Sequence, residues 1–128
     1  MKPITREWIK KAEGDFATAG RELRARKAPN YDAACFHAQQ CAEKYLKARL
    51  QESQIPFEKT HNLIALLELV LPLEPGWETL RPALQALNAF AIEVRYPGES
   101  ADKEMARKTL TLCKQVRQRI RLSLGLKP

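Results

Sequence analysis

The segment that decides the fold spans residues 31–50 and has the sequence YDAACFHAQQCAEKYLKARL. Apolar and small side chains recur in it every three or four residues, which is the periodicity of one face of an α-helix. Further residues, among them Phe36, Gln40, Lys47 and Leu50, lie off that face. Because apolar groups occupy two sides, we predict a helix that is central in the fold or lies in an oligomer interface. The main face contains Tyr31, Ala34, Cys35, Ala38, Cys41, Ala42, Tyr45 and Leu46.

Helical periodicity continues on both sides of this segment, and no segment alternates like a β-strand. The predicted fold class is therefore all-α, an antiparallel up-and-down helical bundle of about five helices. The expected N-cap residues have side-chain oxygens that can accept hydrogen bonds from free backbone N–H groups. They are Thr5, Asn30, Thr60 and Ser100. The predicted helices run from about Thr5 to Arg26, from Tyr31 to Ser53, over a short stretch after Thr60-His61, from Trp77 to Val94 and from Ser100 to Leu124.

Length and composition fit a single domain over residues 1–128. Hydrophobic residues make up 45% and charged residues 29%, a balance that supports a core and excludes an intrinsically disordered chain. The N-terminus lacks the apolar run of a secretory signal, and no stretch reaches the length of a membrane span. We therefore expect a cytoplasmic protein without a membrane partner.

Charge is distributed unevenly along the chain, although the formal net charge is +7. Residues 1–29 carry eight basic and four acidic side chains, residues 30–99 carry six and nine, and residues 100–128 carry eight and two. If the first and last helices are neighbours, they form a basic face that suits RNA, a nucleotide or an acidic protein. The alternative is a solvated face that maintains solubility, and it is favoured here because no aromatic residues alternate with the basic ones.

The sequence contains no complete catalytic motif. Neither G-x-x-x-x-G-K-[ST] nor G-x-G-x-x-G occurs, and no histidines, cysteines or carboxylates have metal-ligand spacing. We therefore expect no metal and no cofactor. Cys35, Cys41 and Cys113 are the three cysteines. Their odd number and the lack of Cys-x-x-Cys spacing favour small apolar core residues over disulfides.

Five polar residues occupy positions that suggest a binding site. Asp15 lies beside the apolar stripe of the first helix, His37 and Gln40 lie one turn apart on the second, His61 follows Thr60, and Arg95 ends the fourth helix. Each also has a structural explanation. Asp15 can pair with a cation, the histidines can hydrogen-bond between helices, and Arg95 can cap the carbonyls of a helix C-terminus.

Four motifs in the right order resemble the HEPN domain (higher eukaryotes and prokaryotes nucleotide-binding), over about residues 5–122. The resemblance implies an up-and-down bundle that is usually dimeric and often encoded beside, or fused to, a minimal nucleotidyltransferase. Several members of the family act as toxins in toxin–antitoxin pairs. The motifs are Ala12-x-x-Asp15-Phe16-x-x-Ala19-x-x-x-Leu23, the segment 31–48, Thr60-His61-Asn62-Leu63 with Leu66-Leu67, and Arg95-Tyr96-Pro97.

The same resemblance bears on catalysis, because ribonuclease members carry an arginine separated by four to six residues from a histidine. Arg95 matches the arginine, whereas Ser100, Ala101 and Asp102 occupy the histidine positions, and no histidine follows His61. A positioned acid or base contributes about 10²- to 10⁴-fold to a rate. The incomplete motif therefore predicts binding without efficient cleavage.

Three functions follow from these observations. The leading one is a non-catalytic HEPN-type module that is homodimeric and associates with a separately encoded nucleotidyltransferase, or binds a nucleotide or RNA. No nucleotidyltransferase signature, a Gly-Ser turn followed by Asp-x-Asp, occurs in this chain. The runner-up is a metal-independent endoribonuclease that uses Arg95 with a non-standard acid or base. The third is a purely structural dimer.

The predicted site for a ligand or partner is a polar groove near the Arg95 turn. Tyr96 precedes Pro97 and is biased towards extended backbone, so the fourth helix should stop there, and Gly98 permits a sharp reversal. Arg95, Tyr96 and free N–H groups near Ser100 would then hold a phosphate. The groove residues are Asp15, His37, Gln40, His61, Arg95 and Tyr96.

Overall fold

A computed structural model describes residues 1–94 and 96–128. The described residues form α-helices and no β-strand, which confirms the predicted all-α class. A 3-10 helix, Pro75–Leu80, leads directly into the fourth α-helix. The α-helices are α1 (Pro3–Arg24), α2 (Tyr31–Glu52), α3 (Leu63–Val70), α4 (Arg81–Glu93) and α5 (Lys103–Ser123).

Helix α2 lies at the centre and contacts each of the other four α-helices. Its N-terminus is capped as predicted, because the Asn30 side chain accepts a 2.9 Å hydrogen bond from the Ala33 N–H. Lys47 and Leu50, which lie off the main apolar face, are buried as well. The predicted central position of this helix is therefore confirmed. Phe36 is 41% exposed and is the large apolar side chain of α2 that remains at the surface.

Helices α1 and α4 run in the direction opposite to α2, α3 and α5. Leu23 near the end of α1 packs against Ala34 and Ala106 in the first turns of α2 and α5. Thr5 near the start of α1 bonds Glu52 at the end of α2. Helix α1 is therefore antiparallel to both α2 and α5. The segment 53–62 runs back along α2, because Gln39 donates a 2.8 Å hydrogen bond to the His61 carbonyl. Helix α3 consequently starts beside the middle of α2.

Three predicted helix caps are wrong by two or three residues. Helix α1 begins at Pro3, and the Thr5 hydroxyl is buried and donates to Glu52 at 2.9 Å instead of capping the helix. Helix α3 is capped by Asn62, not Thr60, and α5 by Asp102, not Ser100. In both cases the residue nearer the helix has a side-chain oxygen that reaches the free N–H groups.

The predicted fourth helix is divided at Arg81. Pro82 has no N–H and cannot donate to the carbonyl four residues earlier, so an α-helical ladder cannot continue through it from Trp77. The chain from Pro75 to Leu80 takes the tighter 3-10 form, and Pro82 lies in the first turn of α4. There its missing N–H costs nothing.

One end of the bundle collects the last turns of α1 and α4 and the first turns of α2 and α5. A small cluster of Ala34, Cys35 and Ala106 is buried there, and Leu23 and Val94 pack against it. We call this region the turn end of the bundle. None of the described helices combines the length and apolar character that crossing a lipid bilayer requires.

Candidate functional site

Two of the predicted groove residues contact each other directly. The Nδ1 atom of His37 lies 2.7 Å from Oδ1 of Asp15, and the Lys44 Nζ donates to Oδ2 of the same carboxylate at 2.6 Å. Asp15 is buried between α1 and α2, where a carboxylate is stable only when it is paired. Each of its oxygens contacts a side chain of α2, so this cluster joins α1 to α2.

Gln40 and His61 belong to a second cluster that is organised by Glu43. The Glu43 carboxylate is 3% exposed, and its Oε1 lies 2.9 Å from the Nδ1 of His61. Its Oε2 accepts a 3.0 Å hydrogen bond from Lys47, and Gln40 donates to Gln39 at 2.9 Å. Glu43 is not among the site residues predicted from the sequence. The sequence does indicate its pairing with Lys47, because oppositely charged residues four positions apart lie close together on a helix.

His61 is the most exposed member of this second cluster, with 69% of its side chain accessible. An ionised carboxylate only accepts hydrogen bonds, so the proton of a neutral His61 ring is on Nδ1 and its Nε2 is the nitrogen available to a ligand. The ring borders a pocket of about 240 Å³ that Gln39, Asn88 and Ile92 also line. Carboxylate and pocket together make His61 the better placed of the two histidines for proton transfer.

The turn that follows α4 contains the remaining predicted groove residues. Arg95 lies outside the described residues. Tyr96 is 64% exposed, and its carbonyl accepts a 3.2 Å hydrogen bond from the Glu99 N–H. Gly98 has a φ of +91°, so the reversal predicted from its sequence position is present.

Backbone N–H groups at the start of α5 are occupied by carboxylates. The Ala101 N–H donates to Oδ1 of Asp32 on α2 at 2.7 Å, and the Met105 N–H donates to Oδ1 of Asp102 at 2.8 Å. The expectation that free N–H groups near Ser100 hold a phosphate is therefore wrong for these two groups. Two carboxylates at the helix N-terminus would also repel an anion.

A pocket rich in cationic side chains opens at the turn end of the bundle. It has a volume of about 600 Å³, and we call it the basic pocket. It combines the end of α1 and the following loop with the starts of α2 and α5. Among its described lining residues none is acidic. They are Leu23, Arg24, Ala25, Arg26, Pro29, Tyr31, Lys103 and Arg107.

The cations of the basic pocket are almost free of ion pairs among the described residues. Within the part of the chain that the structure describes, Arg24, Arg26 and Lys103 make no ion pair with a carboxylate. Arg107 lies 3.5 Å from Glu104, but both side chains are exposed, and such pairs contribute little stability. The positive charge of this pocket is therefore available to an external anion.

Helices α1 and α5 are neighbours, which is the condition for the predicted basic face. The positive charge is not uniform along the two helices. Near their middle, Glu13 bonds Arg117 through both carboxylate oxygens, at 2.7 and 2.8 Å. The Arg117 guanidinium also lies 4.4 Å from the centroid of the Phe16 ring. Charge is thus neutralised near the middle of the two helices, whereas Arg24, Arg26 and Lys103 make no ion pair among the described residues.

The family model for the HEPN domain matches residues 5–123. This chain belongs to the HEPN family. Its fold resembles the crystal structure of ST0689, an archaeal HEPN homologue, with a TM-score of 0.66 and 22% sequence identity. The similarity covers 96% of this chain and 98% of the archaeal one. No curated protein matches the sequence.

In this HEPN chain, two of the three positions that would carry the ribonuclease histidine have structural roles. Ala101 donates its N–H to Asp32, and Asp102 caps α5. Two candidate sites in the described HEPN fold are the basic pocket and the His61 side of the Glu43 cluster. The described residues contain no group of three or more His, Cys, Asp or Glu side chains arranged to hold a metal ion.

Proposed function

We propose that this HEPN protein is a non-catalytic binding module that holds a phosphate group of a nucleotide or RNA in the basic pocket. One observation carries the proposal: Arg24, Arg26, Lys103 and Arg107 line one concave surface without an acidic residue among the described lining. Arginine presents a planar fork of donors that matches phosphate oxygens, and lysine adds a point charge. Tyr31, which also lines the pocket, offers an aromatic surface beside these cations.

Binding of this kind has a measurable salt dependence. Each cation that contacts a phosphate releases counterions, so removing one lowers the slope of log K against log salt concentration by about 1. The test uses a labelled single-stranded RNA and ATP in fluorescence and competition measurements. The variant combines Arg24→Ala with Lys103→Ala, which removes one cation from each side of the pocket.

A matched control combines Arg6→Ala with Lys114→Ala, which removes the same charges from exposed positions of α1 and α5. The proposal expects the pocket variant to lose at least about tenfold in affinity and to show a reduced salt slope, whereas the control changes little. Equal losses in both variants would show that binding depends on net charge alone. Absence of binding by the wild-type protein would overturn the proposal.

We also propose that the protein is a homodimer and associates with a separately encoded minimal nucleotidyltransferase, as in a toxin–antitoxin pair. Membership of the HEPN family supports this part of the proposal. The second apolar side of α2 is buried within one chain, so it gives no additional support for a dimer. Light scattering at micromolar concentration tests the dimer, and purification from the native host tests the partner. A monomer in light scattering would contradict the proposed dimer. A native preparation without a nucleotidyltransferase would contradict the proposed partner.

A second candidate function is a metal-independent endoribonuclease, and the contact between His61 and Glu43 favours it. With Nδ1 held by the buried carboxylate, Nε2 would take the proton from a ribose 2′-hydroxyl. The 2′-oxygen would then attack the adjacent phosphorus, and the 5′-oxygen would leave with a proton from water. Arg95 would stabilise the negative charge of the transition state.

This candidate predicts RNA cleavage in the presence of EDTA. Activity should be lost in His61→Ala and in Arg95→Ala, and largely retained in His37→Ala, the matched histidine control. If the protein cleaves no RNA and Arg95→Ala weakens only the binding of nucleotide, RNA or partner, the non-catalytic module is correct. If Arg95→Ala instead unfolds the protein, Arg95 has a structural role.

A further inference from the structure

A second pocket adjoins the basic pocket and shares one residue with it. It lies between α4 and α5 and has a volume of about 460 Å³. Ala86, Phe90 and Leu112 provide apolar surface, and Lys108 and Arg107 add positive charge. Arg107 lines both pockets, so the cationic surface of the first continues into the second. We call the second one the Phe90 pocket.

The Phe90 pocket differs chemically from the basic pocket. Phe90 and Leu112 are only half-buried, so part of their apolar surface faces the pocket and remains in contact with water. A flat apolar group that carries neighbouring negative charge would cover this surface and also meet Arg107 and Lys108. A nucleobase with its flanking phosphates has this combination of properties.

We infer that the two pockets together bind a single-stranded oligonucleotide, with a phosphate in the basic pocket and a neighbouring base against Phe90. This inference rests on the proposed function, because it assigns a ligand class to the same cationic surface. It also changes the interpretation of the charge pattern. Aromatic residues do not alternate with basic ones along the sequence, but folding brings Tyr31 and Phe90 beside Lys103, Arg107 and Lys108.

A single strand fits this surface better than a duplex or an acidic protein. Bases in a duplex are already stacked and cannot enter a lateral pocket without unpairing, whereas an unpaired base can stack on an aromatic ring. An acidic peptide would satisfy the cations but would leave Phe90 and Leu112 without an apolar partner. Glu104 also lines the Phe90 pocket and opposes anions, but its 3.5 Å pair with Arg107 is exposed and easily broken.

The test compares three probes on the wild-type protein: a short labelled oligouridylate, an abasic strand of the same length, and inorganic tripolyphosphate. Phe90→Ala removes the stacking surface, and Phe90→Leu retains apolar packing without the ring. Phe36→Ala is the matched control, since it removes another partly exposed aromatic residue from α2. Circular dichroism and thermal unfolding establish that each variant is folded.

The expected result is that Phe90→Ala and Phe90→Leu weaken oligouridylate binding about fivefold to a hundredfold. Their affinity for tripolyphosphate and the abasic strand, and the binding by Phe36→Ala, should remain unchanged. Equal wild-type affinity for the abasic strand and oligouridylate would overturn the inference while leaving phosphate binding in place. Polyglutamate that competes as well as oligouridylate, with no effect of Phe90, would overturn it in favour of an acidic protein. If tripolyphosphate fails to bind, the proposed function fails too.

Discussion

Asp32 in the first turn of α2 accepts a 2.7 Å hydrogen bond from the backbone N–H of Ala101, 69 residues away. This bond joins the start of α2 to the residues that precede α5. It lies at the turn end of the bundle, where Ala101 packs against the small cluster that contains Ala34 and Ala106. The contact therefore fixes the position at which the chain enters α5. It thereby also positions Lys103 and Arg107 of the basic pocket, which lie at the start of that helix.

Replacing Asp32 should loosen this junction. Asp32→Ala leaves the half-buried Ala101 N–H without its acceptor, and we expect a loss of about 1–3 kcal/mol in the free energy of unfolding. Asp32→Asn keeps a side-chain oxygen and should recover most of that loss. Chemical denaturation measures both, and hydrogen exchange at residues 99–103 should accelerate in the alanine variant. Unchanged exchange there would contradict the anchoring role.

The ion pair between Glu13 and Arg117 should make stability depend on pH. The hydrogen bond from Arg117 lowers the pKa of Glu13 below 4.5, against the opposing effect of burial. The folded state therefore binds this proton less readily than the unfolded chain does. The stabilisation is complete above the unfolded pKa of about 4.5 and is lost as the pH falls through the lower folded value.

Glu13→Gln should accordingly lower stability at pH 7 by about 1 kcal/mol, a modest figure because the pair is partly exposed and screened by solvent. The difference between variant and wild type should shrink as the pH falls below about 4.5. Glu7→Gln, at an exposed position of the same helix, is the control. A difference that stays constant between pH 7 and pH 3 would show that the ionisation of Glu13 is not involved.

The sequence predicted those features of the fold that depend on neighbouring residues. The periodicity of residues 31–50 placed α2 to within one residue, and Asn30 was correctly identified as its cap because capping is a local interaction. The caps of α3 and α5 were wrong because two candidates lie two residues apart, as with Thr60 and Asn62. A sequence does not show which of two such oxygens reaches the free N–H groups.

The candidate site was harder to predict because its parts come from separate segments. The basic pocket combines Arg24 and Arg26 with Lys103 and Arg107, which are more than seventy positions away in the sequence. Asp15 pairs with His37, whereas His61 pairs with Glu43, which was not among the predicted site residues. Only the packing of the helices determines which polar residues meet, and hydrophobic periodicity does not encode those pairs.

The three cysteine thiols should resist modification in the folded protein. Cys35, Cys41 and Cys113 are fully buried. Burial raises the pKa of Cys35, and a hydrogen bond with the Cys113 thiol, together with burial, raises that of Cys41. Because the thiolate is the reactive form, a disulfide reagent at pH 8 should label none of the three in the native state and all of them in denaturant. Rapid labelling of native protein would show that α2 and α5 separate readily.

The last prediction separates the structural role of Glu43 from the chemical role of His61. Lys47 is buried and lies 3.0 Å from Glu43, with its Nζ 5.5 Å from the centroid of the Trp8 ring. Glu43→Ala leaves that ammonium without its carboxylate partner in a buried site, so it should cost about 3–5 kcal/mol in stability. His61 is exposed, and His61→Ala should change stability by less than about 1 kcal/mol, since only one partly exposed hydrogen bond is lost. The double variant Glu43→Met with Lys47→Met, which removes both charges, should be more stable than Glu43→Ala, because no unpaired charge remains. Thermal and urea unfolding of the three variants measure these differences. If Glu43→Ala is as stable as wild type, the carboxylate is not required by Lys47, and its main contribution is to hold the His61 ring.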